Sequence, residues 1–197
     1  MTLISPSPLW LSLLLALSFA GCLFDDDDTA PDDTDADTDT DADTDTDECR
    51  PLDPDPVPGP DCLSGTIACG GSVTATTVGG SDVLDEGFYQ DAFCFIPYDA
   101  YTGAERVYAF VLPADQVATI ALHSPCADLD LVVVRWEDEK ACPREGSIAG
   151  ACEGDATEGD GVVDDLWSGT DARHLVIVDG KDGVEDNFTL SVSCTGR

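Results

Sequence analysis

The sequence predicts an all-β chain: an antiparallel β-sandwich, stapled by disulfides and preceded by a disordered acidic linker. Three observations carry this reading. Six short segments after residue 70 are rich in β-branched and aromatic residues and are separated by turn chemistry. No segment sustains a helical hydrophobic period. Eight of the nine cysteines lie from Cys49 onward, the usage of an extracytoplasmic domain.

The first element is "PLWLSLLLALSFA" at 8–20, apolar and uncharged. It is shorter than the roughly 20 apolar residues of a membrane span. An N-terminal run of this length that ends in small residues reads as a secretory signal, here without the usual basic start. Its end, Phe19-Ala20-Gly21-Cys22, resembles a bacterial lipobox, with Phe19 where Leu is commoner. That resemblance implies removal of residues 1–21 and lipidation of Cys22. Two or more acyl chains hold a protein stably on a membrane, where one does not. Taking Cys22 out of the disulfide count leaves an even number. Leu23, rather than Asp, follows Cys22, which by analogy with enterobacterial sorting permits delivery to the outer membrane.

Residues 22–61 are expected to form a stalk. "DDDDTAPDDTDADTDTDADTDTDEC" alternates Asp with Thr or Ala and has nothing large enough to build a core. Like charges recur on one face, so the period-2 pattern does not make a strand. Self-repulsion extends such a segment, and the prolines of "RPLDPDPVPGPDC" stiffen its end. No window supplies the Gly and Glu of an EF-hand loop.

The formal net charge is −33. It is divided almost evenly between the stalk and residues 62–197, and both parts repel polyanions. Nucleic acid is therefore excluded as a partner. The expected partners are the membrane, through the lipid anchor, and another surface protein or a glycan.

Residues 62–197 form the expected sandwich domain. Strands are predicted at 71–78, 106–113, 116–123, 129–136, 173–178 and 187–193. Phe188, Leu190 and Val192 alternate onto one face, as do Tyr108, Phe110 and Leu112. Turns are expected at "PAD" (113–115), "SPCAD" (124–128) and "DGKDG" (179–183).

The ordered features Tyr108 and Phe110, Pro113-Ala114, Asp128-Leu129-Asp130-Leu131, Val178-Asp179-Gly180 and Phe188-Thr189-Leu190-Ser191-Val192 resemble the bacterial pre-peptidase C-terminal domain over about residues 69–194. The resemblance implies a jelly-roll-like sandwich that serves exported proteins as an accessory module, without catalytic residues. Lipobox, Asp-Thr stalk and cysteine-rich sandwich together look like lipoproteins of myxobacteria-like organisms.

No C-x-x-C pair occurs and the chain has two histidines, which argues against a zinc site. Cys142–Cys152 brackets a loop of small residues, Cys126 and Cys194 are expected to join across the sandwich, and Cys69–Cys94 and Cys49–Cys62 then remain. No nucleophile elbow, zincin motif or phosphate loop appears. Ser124 beside His123 should point to the opposite side of a strand, and His174 precedes an apolar run. The remaining site candidates are carboxylates. Asp128, Asp130 and Asp179 are candidate calcium ligands, with Asp155, Asp164, Asp165 and Asp182 in nearby loops. No other cofactor is expected.

The function read from the sequence is a non-enzymatic surface lipoprotein in a bacterial envelope, displaying a binding or accessory module on a stalk. The alternatives are a calcium-dependent adhesion or glycan-binding module, and a domain associated with a secreted hydrolase.

Overall fold

The computed structural model describes residues 49–54, 62–92, 101–139, 142–143, 151–155 and 159–197. The expected signal peptide, Cys22, Cys94 and most of the expected stalk lie outside the described residues.

Nine strands and one short helix make up the described fold: β1 Leu63–Ile67, β2 Ser72–Thr76, α1 Glu86–Ala92, β3 Arg106–Leu112, β4 Gln116–His123, β5 Leu129–Arg135, β6 Cys152–Asp155, β7 Gly161–Trp167, β8 Ala172–Gly180 and β9 Asn187–Gly196. They form a five-stranded sheet ordered β1-β3-β8-β5-β6 and a four-stranded sheet ordered β2-β9-β4-β7. All neighbours are antiparallel except β1 and β3, which run parallel at one edge. Only β5 and β6 are consecutive strands of one sheet; every other connection passes from one sheet to the other.

Both predicted alternations point inward. Tyr108, Phe110 and Leu112 meet Phe188, Leu190 and Val192 between the sheets, with Ile120, Leu131 and Val176. A second apolar layer covers the outer face of the five-stranded sheet. There Val107, Val132, Val134, Leu175 and Ile177 pack beneath Leu84, Phe88, Tyr89 and Tyr101. Strands β5 and β8 are thus buried on both faces, which is why "LVVV" and "LVIV" run apolar without alternating.

Helix α1 belongs to this second layer. Seven residues are too few to display a helical period, so only its cap is legible: Phe88 N–H donates to Asp85 Oδ1 at 3.0 Å. Strands β1, β6 and β7 also went unpredicted; Gly and acidic residues dominate β6 and dilute the pattern of β7. In "DGKDG", Asp182 (φ 53°) and Gly183 (φ 78°) make the turn. Gly180 before it admits no side chain, because a Cβ would lie 2.1 Å from the Val184 carbonyl oxygen.

None of the expected disulfide pairings holds. The bridges are Cys49–Cys126, Cys62–Cys142 and Cys69–Cys194, spanning 77, 80 and 125 residues. Cys152 is disulfide-bonded as well, and so is not joined to Cys142. The reason is topological. Cys194 pairs in register with Ala118 near the start of β4, whereas Cys126 follows the far end of that strand. Roughly 17 Å of strand separates those levels, at about 3.4 Å per residue, against the roughly 7 Å limit between bridged Cα atoms. Cys142 bridges instead to Cys62 at the start of β1, and Cys49 to Cys126 beyond the end of β4.

Residues 49–54, expected to be stalk, are fastened to the sandwich. Cys49 is tied to the β4–β5 loop, and Leu52 N–H donates to Asn187 Oδ1 at 3.2 Å.

Replacing Cys69 and Cys194 together by Ala is expected to destabilise the fold by roughly 4 kcal/mol in urea unfolding, because the closed loop is long. Phe110→Ala, in the fully buried inter-sheet core, is expected to cost about 3–5 kcal/mol. Val111→Ala, on the same strand but 55% exposed, should stay within about 0.5 kcal/mol in the same assay.

Candidate functional site

A concavity of about 560 Å³ lies on the outer face of the four-stranded sheet, under the strap formed by residues 50–53. Strand alternation supplies its floor. Thr74 on β2 and His123 on β4 are both register partners of Thr189 on β9, so the three side chains share one face. The Thr74 and Thr189 hydroxyls are 3.0 Å apart. Asn187, at the start of β9, holds the strap from both sides of its amide: Nδ2–H donates to the Arg50 carbonyl at 2.6 Å, and Oδ1 accepts from Leu52 N–H. Pro51 and Pro125 add apolar wall. The Cys49–Cys126 bridge fixes the rim.

His123 Nδ1 lies 2.6 Å from Asp160 Oδ1, with both side chains more than half exposed. This is the contact that orients an imidazole in hydrolytic sites. The hydroxyl of Ser124 does not join it. Ser124 is buried, its Oγ–H donates to the Gly159 carbonyl at 2.6 Å, and its N–H donates to Asp160 Oδ1 at 3.2 Å. Ser124 lies just past the end of β4, so the strand alternation expected for the pair does not apply to it. The groove is lined by threonine hydroxyls and an imidazole beside proline faces, with the Asn187 amide engaged by the strap.

The carboxylates singled out in the sequence are distributed differently. Asp130 on β5 and Asp179 on β8 are directly opposed across the sheet and fully buried in the second layer. Each is served by a tyrosine: Tyr101 O–H donates to Asp130 Oδ2, and Tyr89 O–H to Asp179 Oδ2 at 2.5 Å. The two rings touch, with centroids 4.6 Å apart. Lys181 Nζ is 3.3 Å from Asp130 Oδ2, and Gly180 N–H donates to Asp179 Oδ1 at 2.7 Å.

Glu105, also fully buried, accepts from Ser81 Oγ–H at 2.7 Å and Val83 N–H at 2.9 Å. Burial pushes all three carboxyls up, Asp179 to about 7 and Asp130 and Glu105 in the same direction. Burial and the neighbouring Asp179 charge likewise keep Tyr89 protonated.

Asp128, the third calcium candidate, is engaged elsewhere, its Oδ1 3.4 Å from the Gly159 N–H. No group of three or more His, Cys, Asp or Glu able to hold a metal ion occurs among the described residues. The structure thus brings Asp130 and Asp179 together as parts of a buried polar layer, with a lysine ammonium and tyrosine hydroxyls as their partners. Asp155 Oδ2 accepts from Val162 N–H at 2.8 Å, at the β6–β7 turn. Asp164 and Asp165 lie in β7, and Asp182 in the β8–β9 turn. His174 is buried on β8 near Phe110, and burial lowers its proton affinity.

No protein-family profile matches this chain, and no curated protein matches it. Among solved structures, it is similar to the pre-peptidase C-terminal domain of collagenase from Bacillus anthracis. The identity is 12% and the TM-score 0.39, over 68% of this chain and 98% of that one. It is also similar to a periplasmic inhibitor of g-type lysozyme from Aeromonas hydrophila, at 14% identity and TM-score 0.35, over 68% of this chain and 99% of that one.

Sequence reasoning missed the groove because its parts are Thr, Asn and a strap residue, which carry no motif. It missed the tyrosines because Tyr89 and Tyr101 lie in segments with no strand pattern. The one available signal was an Asp inside each of two otherwise apolar runs, at 130 and 179.

The buried carboxyls give a signed pH dependence. A carboxyl whose folded pKa is raised holds its proton longer when folded, so its contribution is intact below its ordinary value near 3.9 and is lost as pH rises through the folded value. The melting temperature is therefore expected to fall between about pH 4 and about pH 7, the interval bounded by the ordinary carboxyl value and that of Asp179. His174 acts oppositely, its contribution being lost below its ordinary value near 6.5. Asp179→Asn should flatten the decline in a melting series across that interval. An unchanged slope would remove Asp179 as its source.

Proposed function

We propose that the chain is a non-enzymatic surface lipoprotein, anchored through Cys22, that displays the sandwich as a binding or accessory module at the end of an acidic stalk. The observation that carries the binding reading is the groove. It is open and lined by both apolar and polar groups, its floor is three strands of one sheet, and its roof is locked by a disulfide and two hydrogen bonds with Asn187. A rigid rim lowers the entropy lost when a ligand is captured. A folded exported protein or a glycan fits this chemistry, because hydroxyl, amide and imidazole groups pair with peptide or sugar polar groups.

Export is supported by chemistry as well as by the leader. Seven described cysteines are all oxidised, the state of an extracytoplasmic compartment. The lipobox-like Phe19–Cys22 supports the anchor. The stalk's charge supports display, since it repels an anionic membrane surface.

Two measurements test the reading. Intact mass of protein extracted from membranes is expected to start at an acylated Cys22, and Cys22→Ser should move the protein to the soluble fraction. A mature mass beginning elsewhere without lipid would sink the anchor. Thr74→Trp, which fills the groove from an exposed position, should abolish capture of the cognate surface molecule while leaving the melting temperature in place; retained capture would remove the groove from the reading.

A further inference from the structure

A second cavity opens at one end of the sandwich, away from the strap. It measures about 410 Å³ and lies between β7 of one sheet and β5, β6 and β8 of the other. Its acidic wall comes from a β-bulge. Ala118 pairs with Leu166 and Ile120 with Val163, so β7 carries one residue more than β4 over this stretch, and Asp165 takes the left-handed conformation at φ 57°. Two consecutive carboxylates, Asp164 and Asp165, are consequently exposed where strict alternation would turn one inward. Glu153 of β6 lines the facing wall.

Two further features of the cleft point to a ligand. His174 lines it, is 4% exposed, and its Nδ1 has no hydrogen-bond partner. A buried ring nitrogen without a partner is costly, and a donor group entering the cleft would satisfy it. Trp167 lines the same cleft, is 49% exposed, and carries the guanidinium of Arg197 at 4.4 Å from its ring centroid. The ring therefore already takes a guanidinium in this fold. The cationic Arg135 in the wall is held by Glu137 at 2.9 Å.

We propose that this cleft receives a cationic side chain, of arginine or lysine, presented by a partner protein. Asp164, Asp165 and Glu153 supply the countercharge, Trp167 the ring face, and His174 Nδ1 an acceptor for one N–H. The acidic surface of the domain draws such a partner in over a range set by ionic strength. A phosphate or an acidic peptide would meet repulsion from all three carboxylates. The site is separate from the groove under the strap, so each can fail without the other.

The experiment is a titration of the full chain, ¹⁵N-labelled, with the peptide acetyl-Gly-Arg-Gly-amide at fixed ionic strength, followed by backbone and indole N–H resonances. Saturable shifts at Trp167, Asp165 and His174 are expected. Asp164→Asn with Asp165→Asn should weaken binding at least fivefold, about the loss expected for two partly exposed charge contacts. Asp82→Asn with Asp182→Asn, an equal charge change at exposed sites outside the cleft lining, should change it less than about twofold. Trp167→Ala, at an exposed position, provides a second variant should the bulge pair fail to fold, and it too should weaken binding. Equal losses in the bulge and control variants would reduce the effect to diffuse charge and overturn the proposal. So would shifts confined to other surfaces, no saturable shifts, or a response to Zn²⁺ but not to the peptide.

Discussion

Strands β5 and β8 are covered on both faces, and most of the molecule follows from that. An ordinary sandwich buries one face of each sheet. Here the outer face of the five-stranded sheet is also roofed, by Leu84, Phe88, Tyr89 and Tyr101. Two central strands therefore read as unbroken Val, Leu and Ile, and any polar group on their outer face must be satisfied from within the protein. Asp130 and Asp179 stand on that face, directly opposed. Two carboxylates so placed cannot both remain charged cheaply. Tyrosine hydroxyls, a lysine ammonium and a raised proton affinity resolve the conflict together.

The connectivity distributes stability in a particular way. Because nearly every connection crosses between sheets, strand pairing is almost entirely non-local, and the two layers are joined at their ends by loops. The disulfides act at those loops. Cys62–Cys142 ties the start of β1 to the chain after β5, Cys69–Cys194 ties the β1–β2 turn to the end of β9, and Cys49–Cys126 brings the incoming chain down onto the β4–β5 loop. The last bridge also builds the roof of the groove. The cross-link that secures the incoming chain thus also shapes the groove.

Legibility in the sequence tracked locality. The inter-sheet core could be read from Tyr108, Phe110, Leu112 and from Phe188, Leu190, Val192, because alternation is a property of one strand and survives any topology. Helix α1 could not be read, because one turn and a half shows no period and its two aromatics could equally face a sheet. The carboxylates were found but assigned a calcium chemistry, since Asp at 128, 130 and 179 looks alike whether it faces solvent, a cation or a tyrosine. The cysteines were counted correctly and paired wrongly: a count is local, whereas a pairing depends on which strands become neighbours.

By itself the sequence determined composition-level and strand-level properties. These are an acidic, cysteine-rich chain with an apolar run before Cys22, an Asp-Thr segment unable to build a core, and strands whose alternation dictates an inward face. Each rests on chemistry within a few residues of its neighbours. The tertiary structure alone decided the sheet order, the disulfide partners, the burial of Asp130 opposite Asp179, and the meeting of Asn187 with the strap and of His174 with the bulge in β7. The physical reason is that these depend on separations of tens of residues closed by the burial of two apolar layers, and the energy of a contact appears only once the chain between its ends has been folded away.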